Sequence, residues 1–78
     1  MYDPDKIVEA FGLTMKELRV KTGLSQEKLA ELADLERTFI SWLETGNRQA
    51  SLITIFKISH AFKMKASEFI KEIESKIK

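Results

Sequence analysis

Apolar residues recur every three or four positions along this chain, and that spacing predicts five helices and no strand. A first helix should begin at Pro4, because Asp3 is a favoured N-cap residue and proline is tolerated at the first helical position. It should end near Thr22, since Gly23 readily adopts the left-handed conformation that terminates helices. Within it, Gly12 is expected to cost roughly 1 kcal/mol relative to alanine. The inward face carries Ile7, Val8, Phe11, Met15 and Leu18.

Four further helices follow from the same spacing. A second is predicted over Gln26–Ala33 with Ser25 as its N-cap, and a third over about residues 36–44. A fourth follows the cap residue Ser51, with an inward stripe of Leu52, Ile55, Ile58, Ser59 and Phe62. Its second stripe consists of Ile53, Phe56 and His60. The fifth should begin near Ala66 and continue to the end of the chain, with Phe69, Ile70, Ile73 and Ile77 on one face.

The second and third helices lie close together in the sequence, joined by a short turn that contains Asp34. The third helix is apolar on one side, at Phe39, Ile40 and Leu43, whereas Arg37, Thr38, Ser41 and Trp42 lie largely on another. Two helices joined by a tight turn, the second with a polar outer face, can place a recognition helix in the major groove of DNA. The pattern therefore predicts double-stranded DNA as a partner.

Composition narrows the possible functions. The 78 residues suffice for one helix-turn-helix domain over 1–78, with a core that is only marginally sufficient and no cysteine to add a disulfide. Net charge is only +1, and the basic excess lies in residues 57–78, so bulk charge supports nucleic-acid binding only weakly. The single histidine, His60, has no partner set for metal binding or nucleophilic catalysis. We expect no enzymatic activity, no cofactor and no metal.

Membrane association is not expected from this sequence. No apolar run approaches the roughly 20 residues that are needed to span a bilayer. Residues 1–6 lack the basic start and apolar stretch of a signal peptide. A cytoplasmic protein without membrane contact is therefore predicted.

The start of the third helix carries the candidates for base recognition. Arg37 and Thr38 stand where side chains can reach base edges, and arginine can bind guanine O6 and N7 with two hydrogen bonds. The alternative for Arg37 is a solvated position paired with Glu36 or Asp34. Glu36 can accept a hydrogen bond from a cytosine amino group, although we favour an interaction with the positive end of the helix dipole. Ser41 is predicted to contact either a base or a phosphate.

Two aromatic residues on the third helix have alternative roles. Phe39 could contact a thymine methyl group or the sugar backbone, or it could belong to the core. Trp42 could donate its indole N–H to a phosphate or lie against DNA sugars. Alternatively, Trp42 could pack against the polar loop that follows the helix. We favour DNA contact for Trp42.

Two segments are predicted to bind the phosphate backbone. Ser25 and Gln26 stand at the start of the second helix, where free backbone N–H groups and the helix dipole favour an anion. Asn47, Arg48 and Gln49 form a polar loop after the third helix, and Arg48 is the strongest phosphate candidate among them.

Apolar residues on the fourth and fifth helices predict a homodimer. Ile53, Phe56, Ile73 and Ile77 are more apolar surface than a five-helix monomer of this size readily buries, and His60 lies beside them. A two-fold dimer would contact an inverted repeat with half-sites about 10 bp apart or a multiple of it. The alternative is that the fifth helix folds back over the first and hides Ile73 and Ile77.

Several short blocks carry a family resemblance. In chain order they are Leu18-Arg19, Gly23-Leu24-Ser25-Gln26-Glu27, Leu29-Ala30, Ile40-Ser41, Glu44-Thr45-Gly46, Ser51-Leu52, Ile55, Lys57-Ile58 and Ala66-Ser67-Glu68-Phe69. Over about residues 8–71 the chain resembles the lambda and 434 repressor and Cro family of helix-turn-helix proteins. Residues 36–41 and the short length look most like the controller proteins of restriction–modification systems. The resemblance implies a compact, all-α, lambda-repressor-like domain of five helices.

The resemblance also implies roles for particular residues. Gln26 matches the phosphate-binding glutamine of the family, and Arg19 and Glu44 match a salt bridge that ties the first helix to the end of the third. Asp34 stands where the family often has glycine, and aspartate tolerates that left-handed conformation better than most residues. Trp42 occupies a position that is usually polar.

The resemblance implies a function as well. Controller proteins are small dimers that bind operator DNA and regulate their own genes and the endonuclease gene. The alternatives are a phage-type or antitoxin-type repressor, or a helical interaction module without DNA binding.

Overall fold

A computed structural model describes residues 2–77 as an all-α fold, as predicted. Its helices are α1 (Pro4–Lys21), α2 (Gln26–Ala33), α3 (Arg37–Glu44), α4 (Leu52–Ala61) and α5 (Ala66–Glu74), and residues 2–77 contain no strand. The predicted end of the fifth helix is wrong, because α5 stops at Glu74, whereas the prediction carried it to the end of the chain. The last residue, Lys78, lies outside the described residues.

Local hydrogen bonds define the helix starts, in agreement with the sequence. Asp3, Ser25 and Ser51 are N-caps, and each side chain accepts a hydrogen bond of 2.9–3.1 Å from a backbone N–H two or three residues later. These bonds satisfy N–H groups that have no partner within the helix. The cap of α3 is Glu36, whose side chain makes no such bond.

Within residues 2–77, four chain reversals rest on a residue with positive φ. They are Gly23, Asp34, Gly46 and Lys63, with φ between 56° and 77°. At Asp34, the backbone N–H donates to the carbonyl of Glu31 at 3.2 Å, and the next N–H, that of Leu35, donates to Ala30 at 2.9 Å. This pair of bonds is the Schellman motif, which closes a helix and redirects the chain. Asp34 therefore performs the turn for which glycine is the usual residue.

The core lies where α1 meets α3 and α5 and where α4 meets α2 and α5. Phe69 is fully buried, with its ring centroid 5.7 Å from that of Phe11, edge to face, and 6.3 Å from that of Phe62. The other buried apolar residues are Ala10, Met15, Leu29, Ala30, Ala33, Ile40, Leu43, Ile58 and Ile73. No helix within residues 2–77 is long and apolar enough to cross a membrane.

Two predicted positions on α4 and α5 are wrong in opposite directions. Leu52, which the spacing placed inward, is 68% exposed. Ile73, which was predicted at the dimer surface, is 5% exposed and belongs to the core. Ile73 is buried because α5 packs on α1, as the alternative hypothesis held, and the same packing places Ile77 half-buried against the core. Neither Ile73 nor Ile77 offers a second copy a fully open apolar surface.

Gly12 has a packing role that the sequence did not reveal. A Cβ atom built on Gly12 would lie 2.5 Å from the carbonyl oxygen of Leu43 and 3.0 Å from that of Glu44. These are backbone atoms at the end of α3, so they cannot move aside as a flexible side chain would. The missing side chain lets α1 and α3 approach each other, and this close approach outweighs the low helix propensity of glycine.

We therefore predict that Gly12→Ala destabilises the protein, although helix propensity alone would stabilise it by about 1 kcal/mol. Overpacking of this kind costs about 1–3 kcal/mol. Urea denaturation of Gly12→Ala would measure the loss, with Glu9→Ala at an exposed position of the same helix as control. A Gly12→Ala protein more stable than wild type would contradict the close approach.

Candidate nucleic-acid interface

Helices α2 and α3 form a compact unit joined by residues 34–36. Asp34, at φ 56° and ψ 51°, ends α2, and Glu36 returns to an extended conformation as the cap of α3. Two buried leucines, Leu29 on α2 and Leu43 on α3, are fully inaccessible and join the unit to the common core. Because its inner side is buried, α3 presents its opposite side to solvent.

The outer side of α3 carries the residues that were predicted to contact bases. Arg37 and Thr38 are exposed, Trp42 is 41% exposed, and Ser41 is half-buried. Phe39 is half-buried and packs against the core, which favours its structural alternative. The exposed face of α3 is therefore narrow. It consists of the polar first turn and one aromatic side chain, that of Trp42.

The cation of Arg37 has no internal partner within residues 2–77. Neither Glu36 nor Asp34 forms a salt bridge with it, so the paired alternative from the sequence does not hold. Asp34 instead approaches Lys57 of α4, at 3.9 Å between Oδ2 and Nζ. The Asp34 side chain is 97% exposed, and Lys57 is a neighbour that spacing along the sequence did not suggest. Arg37 is therefore available to a ligand outside the chain.

A buried carboxylate joins three helices behind this face. Glu44, at the end of α3, has a side chain that is only 3% exposed and pairs with Arg19 of α1. Arg19 donates from Nε to Glu44 Oε2 at 2.6 Å and from Nη2 to Oε1 at 3.1 Å. The third guanidinium nitrogen, Nη1, donates to the carbonyl of Leu24 at 3.0 Å. One arginine therefore connects α1, the end of α3 and the residues that precede α2.

Gln26, at the first position of α2, belongs to the same network. Its Nε2 donates to Glu44 Oε1 at 3.0 Å, so part of its hydrogen-bonding capacity is used inside the protein. The side chain is half-buried, whereas Ser25 beside it is exposed and caps α2. The network holds the start of α2 at a defined distance from the end of α3. Of the two predicted phosphate contacts at the start of α2, Gln26 therefore contacts the buried ion pair, and Ser25 precedes it in the chain.

The loop after α3 folds back onto that helix. Asn47, Arg48 and Gln49 are all exposed, as expected for a polar loop. The guanidinium carbon of Arg48 lies 4.5 Å from the centre of the Trp42 ring. This contact supports the alternative in which Trp42 packs against the loop, although the indole keeps part of its surface open to solvent.

Residues 2–77 contain no group of three or more histidine, cysteine, aspartate or glutamate side chains that could hold a metal ion. His60 is exposed near the end of α4, on the side of that helix that carries Ile53 and Phe56.

The fold and this surface define a helix-turn-helix domain, and comparison with known proteins gives the same class. The family model described as helix-turn-helix matches residues 15–69. The control protein C.MunI from Mycoplasma sp is 45% identical over 65 residues, covering 82% of this chain and 88% of its own. The control protein C.BamHI from Bacillus amyloliquefaciens is 43% identical over 61 residues, covering 77% and 75%.

Structural comparison adds a third relative. The crystal structure of the restriction–modification controller protein C.AhdI from Aeromonas hydrophila superimposes with a TM-score of 0.76 at 39% identity, covering 80% of this chain and 94% of that one. The chain therefore belongs to the helix-turn-helix family and, within it, to the controller proteins of restriction–modification systems.

We predict that Glu44→Ala destabilises the protein by about 3–5 kcal/mol, because it leaves Arg19 without a charge partner in a largely buried site. The matched control is Glu31→Ala, which removes an exposed pair with Lys28, 3.2 Å apart. That pair should contribute about 0–1 kcal/mol. Chemical denaturation of both variants measures the difference, and equal losses would show that burial does not govern the Glu44 pair.

Proposed function

We propose that this chain is a transcriptional regulator that binds an inverted-repeat DNA operator as a homodimer and controls genes of a restriction–modification system. The observation that carries the proposal is the outer face of α3, where Arg37 and Thr38 are exposed and Arg37 has no internal charge partner within residues 2–77. Family membership agrees with it, since C.AhdI is a restriction–modification controller protein. On this proposal the whole chain, residues 1–78, acts as one DNA-binding domain.

The proposed contacts divide between bases and phosphates. Arg37 and Thr38, in the first turn of α3, enter the major groove, and Arg37 binds a guanine through two hydrogen bonds. Ser41 follows one turn later on the same helix. We assign Glu36 to the start of α3, where its negative charge interacts favourably with the helix dipole. A base contact is less favourable for Glu36, because an acid close to DNA is repelled by the phosphates. Few side chains therefore determine the sequence preference of one subunit.

Phosphate contacts come from both ends of the α2–α3 unit. At one end, Ser25 and Gln26 present the start of α2, where backbone N–H groups favour an anion. At the other end lies the loop with Asn47, Arg48 and Gln49. The buried pair behind them keeps the two anchors at a constant separation, which is what a DNA backbone of regular geometry requires.

A second copy of the chain is proposed to bind on α4. Leu52 is 68% exposed, Ile53 is 71% exposed and Phe56 is 58% exposed, and together they form an apolar face beside His60. Phe56 lies four residues from Leu52 and His60 lies four residues from Phe56, so they occupy one side of the helix. Contiguous exposed apolar surface of this kind is typical of interfaces. The proposed interface thus keeps Ile53, Phe56 and His60, adds Leu52, and no longer includes Ile73 or Ile77, which pack into and against the core.

Selection from a random library of DNA duplexes tests the function. We expect enrichment of one inverted repeat, with binding that weakens steeply as salt concentration rises. If no sequence is enriched and duplex affinity is unmeasurable at low salt, the regulator proposal fails. In that case the alternative of a protein-interaction module would be favoured.

We predict different selectivity changes for the two exposed arginines. Arg37→Ala should relax the preference at one base position, at a cost of about 1–3 kcal/mol for the preferred sequence. Arg48→Ala should weaken binding uniformly across sequences and lower the salt slope by about 1. Parallel selection and titration of both variants provide the measurement, with Lys71→Ala on α5 as a control for charge. Identical selectivity profiles for Arg37→Ala and Arg48→Ala would contradict this division.

The α4 face yields a second prediction. Phe56→Glu should give a monomer with much weaker operator affinity and a nearly unchanged fold, because an exposed carboxylate is repelled by its symmetry mate and disfavours apolar contact. Sedimentation velocity and circular dichroism measure assembly and folding separately. The control is Leu13→Glu, which places the same charge at a 47% exposed position of α1 and should leave assembly unchanged.

A substitution at Ile73 should have a different effect from one at the exposed face of α4. Because Ile73 is buried, Ile73→Glu should unfold the protein and leave no folded monomer. A wild-type protein that sediments as a monomer at micromolar concentration would remove the dimer from the proposal.

A further inference from the structure

Trp42 and Arg48 form a pair on the solvent side of α3. The guanidinium carbon lies 4.5 Å from the ring centre, within the range of a cation–π interaction. Trp42 is 41% exposed and Arg48 is exposed, so the pair faces solvent and is not part of the core. A tryptophan beside two base-contact candidates would ordinarily be assigned a base contact of its own, but here the indole contacts a cation of the same chain.

The turn after α3 brings these two side chains together. Gly46 has φ 77°, and its N–H donates to the carbonyl of Leu43 at 3.2 Å. The N–H of Asn47 then donates to the carbonyl of Trp42 itself, at 3.0 Å. The Asn47 side chain is also held, since its Nδ2 donates to Thr45 Oγ1 at 2.9 Å. The residue immediately before Arg48 is thus tied to the backbone of Trp42, which brings the arginine back over the ring.

The hydrogen-bond donors of Arg48 remain available in this arrangement. Arg48 forms no salt bridge with any residue from 2 to 77. Arg19 differs, because its guanidinium donates hydrogen bonds to Glu44 and to the carbonyl of Leu24. A contact through the face of a ring supplies no hydrogen-bond acceptor, so it leaves the donors of the guanidinium for an anion. A guanidinium that is already held also loses less conformational freedom when it binds an anion.

We propose that Trp42 is a positioning residue, whose ring holds the Arg48 guanidinium in place for one phosphate of the DNA backbone, and that Trp42 does not itself contact a base. This inference rests on the proposed DNA-binding function and changes the role of Trp42 within it. On this account, α3 and the loop that follows it form one contact surface, in which Trp42 of the helix fixes the position of Arg48 in the loop.

The consequence is that the two side chains act on DNA binding as a unit. Trp42→Ala should weaken binding about two- to fivefold, the equivalent of an exposed cation–π interaction. The loss should be uniform across sequences, because a phosphate carries no sequence information. Trp42→Phe should retain most of the affinity, since phenylalanine still offers a ring face to the arginine.

A double-mutant cycle tests this coupling with wild type, Trp42→Ala, Arg48→Ala and the double variant. Affinity for the selected duplex is measured by fluorescence anisotropy over a series of salt concentrations. In the Arg48→Ala background, Trp42→Ala should weaken binding by less than about 1.5-fold, because the side chain that it positions is already absent. Thermal unfolding of each variant separates this effect from a loss of stability.

The outcomes separate this inference from the function on which it rests. Wild-type protein that binds no duplex overturns the proposed function and this inference together. Wild-type binding with strictly additive effects of Trp42→Ala and Arg48→Ala overturns the inference alone. A Trp42→Ala variant that relaxes the preference at one base position also overturns it, because that result assigns Trp42 a direct base contact.

A measurement without DNA tests the pair itself. Trp42 is the only tryptophan of the chain, so its fluorescence reports on this site alone. Arg48→Met should shift the emission of the free protein, whereas Arg37→Met, an equal change at the exposed arginine on the helix that carries Trp42, should leave it unchanged. Equal emission from wild type and Arg48→Met would show that the pair does not form in solution, and would overturn the inference.

Discussion

The buried carboxylate of Glu44 is the interaction on which the arrangement of this domain depends. It sits at the end of α3, only 3% exposed, and it accepts hydrogen bonds from Arg19 of α1 and Gln26 of α2. Burying a charge is unfavourable unless donors surround it, so the three helix segments must meet in one geometry. The absence of a side chain at Gly12 allows the same approach, because α1 comes against the carbonyl groups at the end of α3.

This constraint has a functional consequence at each end of the α2–α3 unit. Because the end of α3 is held against α1, its first turn projects into solvent with Arg37 exposed. The Gln26 side chain is partly committed to Glu44, so the start of α2 keeps a constant position relative to α3. The loop after α3 is tied back to Trp42 through Asn47. On the proposed function, this surface needs little induced order on binding DNA, and the exposed apolar face of α4 is the part of the fold proposed to bind a second copy.

Much of the fold was predictable because its signals are local. The N-caps Asp3, Ser25 and Ser51 satisfy backbone N–H groups within three residues, and α1, α2 and α3 are followed by the left-handed residues Gly23, Asp34 and Gly46. Such features depend on neighbours in the sequence and were recognised without the structure. The length of α5 and the orientation of its face were not, since an apolar stripe does not specify which helix covers it.

The sequence by itself determined five helices, a tight turn at Asp34 and a polar face on α3, because hydrophobic period and capping act over a few residues. Only the tertiary structure decided that Ile73 is buried, because that depends on α5 packing against α1, and that Leu52 at the start of α4 is open to solvent. It also decided that position 12 must be glycine, because the carbonyl groups at the end of α3 leave no room for a Cβ atom there. The pairing of Trp42 with Arg48 belongs to the same class, since a turn brings together side chains six positions apart.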